Sequence, residues 1–141
     1  MINQNLFYKN NWGLYSADTD AFITGNVSNE NNKNAYYQSN KFTGRFLNNS
    51  GSQNGSNGIT LSYFIAPPRS SVVLSKNDIP YIVDDSLSVY TSTTSVLTID
   101  PGVVLKFKGN QLFISGSLLV NGDPDNRVVM TSVDDDSDGN D

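Results

Sequence analysis

Ile2-Asn3-Gln4-Asn5-Leu6-Phe7, Ile23-Thr24-Gly25-Asn26-Val27 and Phe42-Thr43-Gly44-Arg45-Phe46-Leu47 carry one theme: a bulky apolar residue, small polar residues, then apolar residues again. Their starts lie 21 and 19 residues apart. Working outward, Gly13-Leu14-Tyr15 falls opposite Asn34-Ala35-Tyr36, and then opposite Gly58-Ile59-Thr60-Leu61 after an insertion rich in Gly, Ser and Asn. Units of about 20 residues are too brief for a strand-helix-strand crossover but suit a coil of short strands and bends. One such coil cannot bury its apolar face alone, so the repeat predicts stacked coils.

Asparagine supplies the bends. Of the 19 asparagines, 14 precede residue 58. Asn tolerates a left-handed backbone and hydrogen-bonds neighbouring main chain, and equivalent side chains stacked from coil to coil can form amide ladders. Regularly placed Leu, Phe, Ile and Tyr argue for a buried face in this segment.

At Ala66-Pro67-Pro68-Arg69-Ser70-Ser71 the composition shifts. Two consecutive prolines remove two donors, so no central strand runs through them and a module boundary is expected there. Beyond it the pattern tightens into Leu87-Ser88-Val89, Leu97-Thr98-Ile99, Leu105-Lys106-Phe107, Leu112-Phe113-Ile114, Leu118-Leu119-Val120 and Val128-Val129-Met130-Thr131. Alternation of period two predicts strands with one face inward. Asp100-Pro101-Gly102, Lys108-Gly109-Asn110, Ser115-Gly116-Ser117 and Asn121-Gly122-Asp123-Pro124 serve as the turns between them.

The segment Leu97-Thr98-Ile99-Asp100-Pro101-Gly102-Val103-Val104-Leu105-Lys106-Phe107, followed by Leu118-Leu119-Val120-Asn121-Gly122 and Val128-Val129-Met130-Thr131-Ser132, resembles the right-handed parallel β-helix repeat proteins of bacterial surfaces and secretions. The resemblance covers roughly residues 79 to 138, and the Asn-rich coils resemble the same family less specifically. It implies an all-β, right-handed parallel β-helix within the pectate-lyase-like superfamily, truncated at both ends. That superfamily includes polysaccharide lyases and hydrolases as well as proteins without known activity, so fold alone does not choose a function. The expected organisation is Asn-rich coils over 1–65, a Pro-containing linker over 66–78, regular coils over 79–133 and an acidic tail over 134–141.

Charge and composition remove several function classes. Five aspartates (Asp134, Asp135, Asp136, Asp138 and Asp141) lie in the last eight residues and match the whole formal net charge of −5, leaving a neutral body. Nine scattered Lys and Arg form no basic stripe, so nucleic acid is not expected as a partner. The apolar runs are about three residues long, far below the roughly 20 needed for a membrane helix. With neither cysteine nor histidine, the chain has no disulfides, no thiol nucleophile and no imidazole base. Met1-Ile2-Asn3-Gln4-Asn5 is not a secretory signal, and an exported protein would carry its signal upstream.

Three sets of side chains carry candidate chemistry. Asp134-Asp135-Asp136-Ser137-Asp138-Gly139 fits D-x-D-x-D-G, the opening half of a calcium loop, with Asp134, Asp136, Asp138 and Asn140 as ligands. The residue closing the shell would fall at position 145, so a full calcium site is expected only in a longer protein. For acid-base work the nearest candidates are Asp84, Asp85, Asp100, Asp123 and Asp125 with Lys106, Lys108 and Arg127, most of them in turns. Trp12, Tyr36 and Tyr37, with Tyr15 and Tyr63, could offer rings to sugar faces; inward stacking is the alternative, and of the adjacent Tyr36 and Tyr37 one must face outward.

The expectation is a non-catalytic structural or adhesive segment of a larger secreted or cell-surface bacterial protein. Alternatives are a fragment of a carbohydrate-active enzyme or a calcium-dependent glycan-binding module. The partner expected is a polysaccharide or a host or cell-surface glycan, with edge-to-edge self-association through ends that show no cap.

Overall fold

A computed structural model describes residues 1–85, 87–89, 95–109 and 111–139, with backbone alone at 64–66 and 87–89. Among the described residues every assigned element is a strand and every pairing is parallel. No helix is long and apolar enough to cross a membrane. The chain is a parallel β-solenoid of about five turns.

The first coil holds β1 (Ile2–Asn3), β2 (Leu6–Tyr8) and β3 (Leu14–Thr19). The second repeats them as β4 (Phe22–Thr24), β5 (Val27–Asn29) and β6 (Asn34–Phe42), the third as β7 (Arg45–Leu47), β8 (Ser50–Ser52) and β9 (Ser56–Ala66). In the fourth, β10 (Ser71–Leu74) is followed by β11 (Tyr81–Val83) and β12 (Leu87–Val89). The fifth carries β13 (Val96–Ile99), β14 (Val104–Phe107) and β15 (Leu112–Ile114), and a last partial coil carries β16 (Ser117–Val120) and β17 (Val129–Ser132). The long β9 pairs with β11 through Ile59–Leu61 and with β12 through Ile65–Ala66, so one long strand becomes two short ones.

The repeat register differs in part from the sequence expectation. Ile2 pairs with Ile23 as expected, 21 residues on. Ile23, however, pairs with Phe46 rather than Phe42, a step of 23. Phe42 instead ends the nine-residue β6 opposite Thr19. Likewise Leu14 lies opposite Tyr36, and Tyr36 opposite Ile59, each shifted by one residue from the expected pairing. The shift matters because one residue exchanges the two faces of a strand.

Bends are set by residues with left-handed backbone in equivalent places. Gln4, Gly25 and Asn48 form one such column (φ 55°, 62° and 53°), Lys9, Glu30 and Gln53 a second (56°, 53° and 54°), and Asp18, Asn40 and Tyr63 a third (46°, 60° and 48°). Asn and Gly suit this conformation; the bulky Tyr63 does not and is held in it by the flanking ladders. At Gly44 the demand is space: a Cβ there would run into the carbonyl oxygen of Ala21.

Asparagines build two ladders across the coils, as their placement predicts. Asn5, Asn26 and Asn49 each donate Nδ2–H to Oδ1 of the next member, Asn26 (3.0 Å), Asn49 (3.0 Å) and Asn77 (2.9 Å). In the second, Asn10 N–H donates to Asn31 Oδ1 (2.9 Å) and Asn31 Nδ2–H to Asn54 Oδ1 (2.8 Å) across coils, and Asn54 ends the row within its own turn by donating to Asn57 (3.0 Å). Asn26 and Asn49 are fully buried, and the ladder satisfies amides that would otherwise cost free energy to desolvate.

Segment 66–78 contains β10, and its Val72 and Leu74 are buried in the same apolar cluster as Ile23, Phe46, Ile59 and Leu105. The two prolines form a corner: Pro67 O accepts from Ser70 N–H (3.2 Å) and from Ser95 Oγ (3.1 Å) one coil on, while Arg69 takes a left-handed backbone (φ 59°) and donates its N–H to Ser95 Oγ (2.9 Å). At a different bend, the first amide ladder joins the coil before the prolines to the coil after them through Asn49 and Asn77.

Candidate functional site

Adjacent residues of β6 point to opposite faces. Tyr36 points inward at 0% exposure, its ring edge-on to Phe7 and Phe46, and its hydroxyl donates to Asn26 O (2.9 Å) or Ser50 O (3.2 Å). Burial pushes its phenol well above the ordinary range. Tyr36 is therefore a core residue, and its candidacy for glycan contact is corrected.

Tyr37 faces outward and joins Tyr15 and Trp12. Because Tyr15 is paired with Tyr37 across adjacent coils, the inter-strand spacing of about 4.8 Å places the two rings in parallel contact. Their centroids are 5.2 Å apart with planes inclined by 13°. The Trp12 ring stands edge-on to both, 4.9 Å from Tyr37 and 5.6 Å from Tyr15, with the Lys33 ammonium 4.7 Å from its centroid. Tyr15 is 56% exposed and Trp12 and Tyr37 are half-buried, an amphipathic patch with rings and hydroxyls presented together. Tyr63 is exposed, but at the bend column, apart from these rings.

The outward column continues from Tyr15 and Tyr37 through Thr60, Ile82, Lys106 and Thr131. Beside it lies a groove of about 340 Å³ lined by Asn34, Ser56, Thr60, Ile82, Asp84 and Lys108. Asn34 Nδ2 donates to Thr60 Oγ1 at 2.5 Å. Lys108 Nζ donates to Asp84 at 2.9 Å, and that hydrogen bond holds the ammonium above its usual range. Sequence reasoning singled out Asp84 and Lys108 but passed over Lys33, Asn34, Ser56 and Thr60, which only the true register brings beside the tyrosines.

The acidic tail folds over the far end of this face. Lys106 Nζ donates to Asp135 O at 2.8 Å and is fully buried. Asp135 accepts from Ser137 Oγ (2.6 Å), Thr131 Oγ1 (2.6 Å) and Ser137 N–H (3.0 Å), which hold its carboxyl down to about 2. Asp134 bonds Ser132, Asp136 is exposed, and Asp138 borders a separate hollow with Lys76 and Arg127. No three acidic side chains gather as metal ligands among the described residues, and Asn140 lies outside them.

The remaining acid-base candidates are dispersed. Asp85 accepts from Ser62 (3.3 Å); Asp100 bonds Arg45 (2.9 Å) and Ser75 (2.9 Å). Asp123 caps its own turn, accepting from the N–H groups of Asn126 and Asp125, which lower its carboxyl below the usual range. These side chains occupy different faces and bends of the solenoid.

Compared with known proteins, the chain matches no family model, no curated protein and no solved structure. What places it is its own backbone, that of a parallel β-solenoid of about five turns.

Proposed function

We propose that this chain is a non-catalytic, adhesive β-solenoid segment of a secreted or cell-surface bacterial protein, and that its outward face contacts a polysaccharide. The observation that carries the reading is the joining of Trp12, Tyr15 and Tyr37 into one exposed patch beside a polar groove. Rings with hydroxyl tips match the alternating C–H and O–H surface of a pyranose, and the half-buried Asn34 and Ser56 offer polar atoms to a neighbouring sugar. A solenoid repeats its surface at a fixed rise per coil, so the face suits an extended polymer better than a small ligand. The acidic side chain lining the groove, Asp84, is engaged by Lys108, which favours binding over acid-base work.

Affinity electrophoresis through gels containing a soluble β-glucan, a galactomannan or polygalacturonate tests it. Retardation by at least one polymer is expected, weakened about fivefold or more by Trp12→Ala and by Tyr37→Ala, and unchanged by Tyr63→Ala. Migration unaffected by all three polymers, or retardation indifferent to Trp12 and Tyr37, overturns the reading.

A further inference from the structure

The amide ladders have a direction. In the first ladder each asparagine donates backbone N–H and Nδ2–H to a single Oδ1 one coil further on: Asn5 to Asn26, Asn26 to Asn49, Asn49 to Asn77. Every inner Oδ1 of this ladder is thus doubly occupied by the coil before it; in the other ladder Asn54 Oδ1 accepts both N–H and Nδ2–H of Asn31, and Asn31 Oδ1 accepts the N–H of Asn10. On the outer face of the first coil, Oδ1 of Asn5 and of Asn10 accept nothing among the described residues. These two residues are five apart, as are Asn26 and Asn31, and Asn49 and Asn54. Between them opens a hollow of about 490 Å³ walled by Met1, Ile2, Phe7 and Leu14. Ile23 and Tyr36, which occupy the places of Ile2 and Leu14 one coil further in, are fully buried.

We propose that this face is a docking surface for one kind of partner, a parallel β-solenoid coil carrying Asn-x4-Asn in register. Its two asparagines would each direct N–H and Nδ2–H onto Oδ1 of Asn5 and Asn10, while its inward apolar residues cover the hollow. The same face of a second copy does not fit, because acceptor would meet acceptor. The far end of a second copy does not fit either. Three residues beyond the paired Leu74, Ile99 and Val120 the ladder position passes from Asn77 to Gly102 and Asp123, neither of which has a side-chain amide, and both of which give their backbone N–H to Asn126 O. The direction of the hydrogen bonds selects the partner; the apolar hollow alone would accept many.

The test fuses a copy of residues 22–44, the second coil with its Asn26 and Asn31, ahead of Met1 in the full chain. Thermal unfolding should shift upward by about 5 °C, and amide exchange at Ile2, Asn5 and Phe7 should slow at least tenfold. The same fusion with N26D/N31D in the added copy presents carboxylate oxygens to Oδ1 of Asn5 and Asn10 and should lose both effects. Equal stabilisation by the two fusions would mean that apolar stacking acts without the ladder, and overturns the proposal. So does the absence of stabilisation by the unaltered copy, or a dimer of the unfused chain that Asn5→Ala/Asn10→Ala abolishes.

Discussion

Asn26 gives two hydrogens to one oxygen, donating its backbone N–H (3.1 Å) and its Nδ2–H (3.0 Å) to Oδ1 of Asn49, one coil further along the solenoid. Asn49 repeats the act toward Asn77 and also donates to Ile23 O at 2.8 Å. A carboxylate can accept in this arrangement but cannot pass it on. Asn49→Asp should therefore cost about 3–5 kcal/mol, since it buries a charge among carbonyl oxygens, whereas Asn5→Asp at the exposed end should cost less than about 1 kcal/mol. Urea unfolding of the two variants checks the contrast.

Tyr36 and Tyr37 should separate stability from binding. Tyr36→Phe removes a buried donor from Asn26 O and Ser50 O and is expected to lower stability by about 1–2 kcal/mol without altering polysaccharide retention. Tyr37→Ala should reduce retention. Retention lost in Tyr36→Phe while its far-ultraviolet spectrum stays unchanged would contradict the assignment of inward and outward faces.

Alkaline pH should unfold the chain through two phenols. Burial raises both Tyr36 and Tyr81, and Tyr81 also donates to Ser75 O at 2.8 Å. A group whose folded value is raised contributes stability that is complete below its unfolded value, about 10 for tyrosine, and declines as pH rises above it. The urea midpoint should hold from pH 8 to about pH 10 and then fall, each phenol contributing up to about 1.4 kcal/mol per pH unit. A midpoint flat to pH 11.5 would count against burial of both rings.

Gly44 tests the tightness of the bend before β7. Its missing Cβ makes room for the Ala21 carbonyl, which accepts Arg45 N–H at 3.1 Å. Gly44→Ala should cost about 3 kcal/mol or force the two coils apart, seen as faster amide exchange at Arg45.

The tail over Lys106 should respond to acid. The carboxyl of Asp135 is lowered first by Ser137 and then by Thr131, so the order it gives the tail is complete above about pH 4 and is lost as pH falls toward 2. At neutral pH, Asp135→Ala should make Lys106 react severalfold faster with an acetylating reagent, read by peptide mass spectrometry. Unchanged reactivity would show that other contacts hold the cover.

Coil length, all-β character and the amide ladders were legible in residues 1–65, because period and asparagine chemistry are local properties repeated by stacking. The expected strands from Leu87 to Thr131 coincide with β12 through β17 apart from one or two residues at their ends. Register was not legible at Phe42. Phe42-Thr43-Gly44 imitates Ile23-Thr24-Gly25, and the extension of β6 around the left-handed Asn40 decides that Phe46, not Phe42, meets Ile23. The local rule at Pro67-Pro68 held, since no strand runs through them. That Ser95 of the next coil ties this corner through Pro67 O and Arg69 N–H was not legible, because the two segments meet only when the coils stack. Alternation alone requires that one of Tyr36 and Tyr37 face outward. Only the paired Leu14 and Ile59 on neighbouring coils turn Tyr36 into the core and leave Tyr37 to meet Tyr15 and Trp12, because inside and outside are properties of the stack and not of a strand.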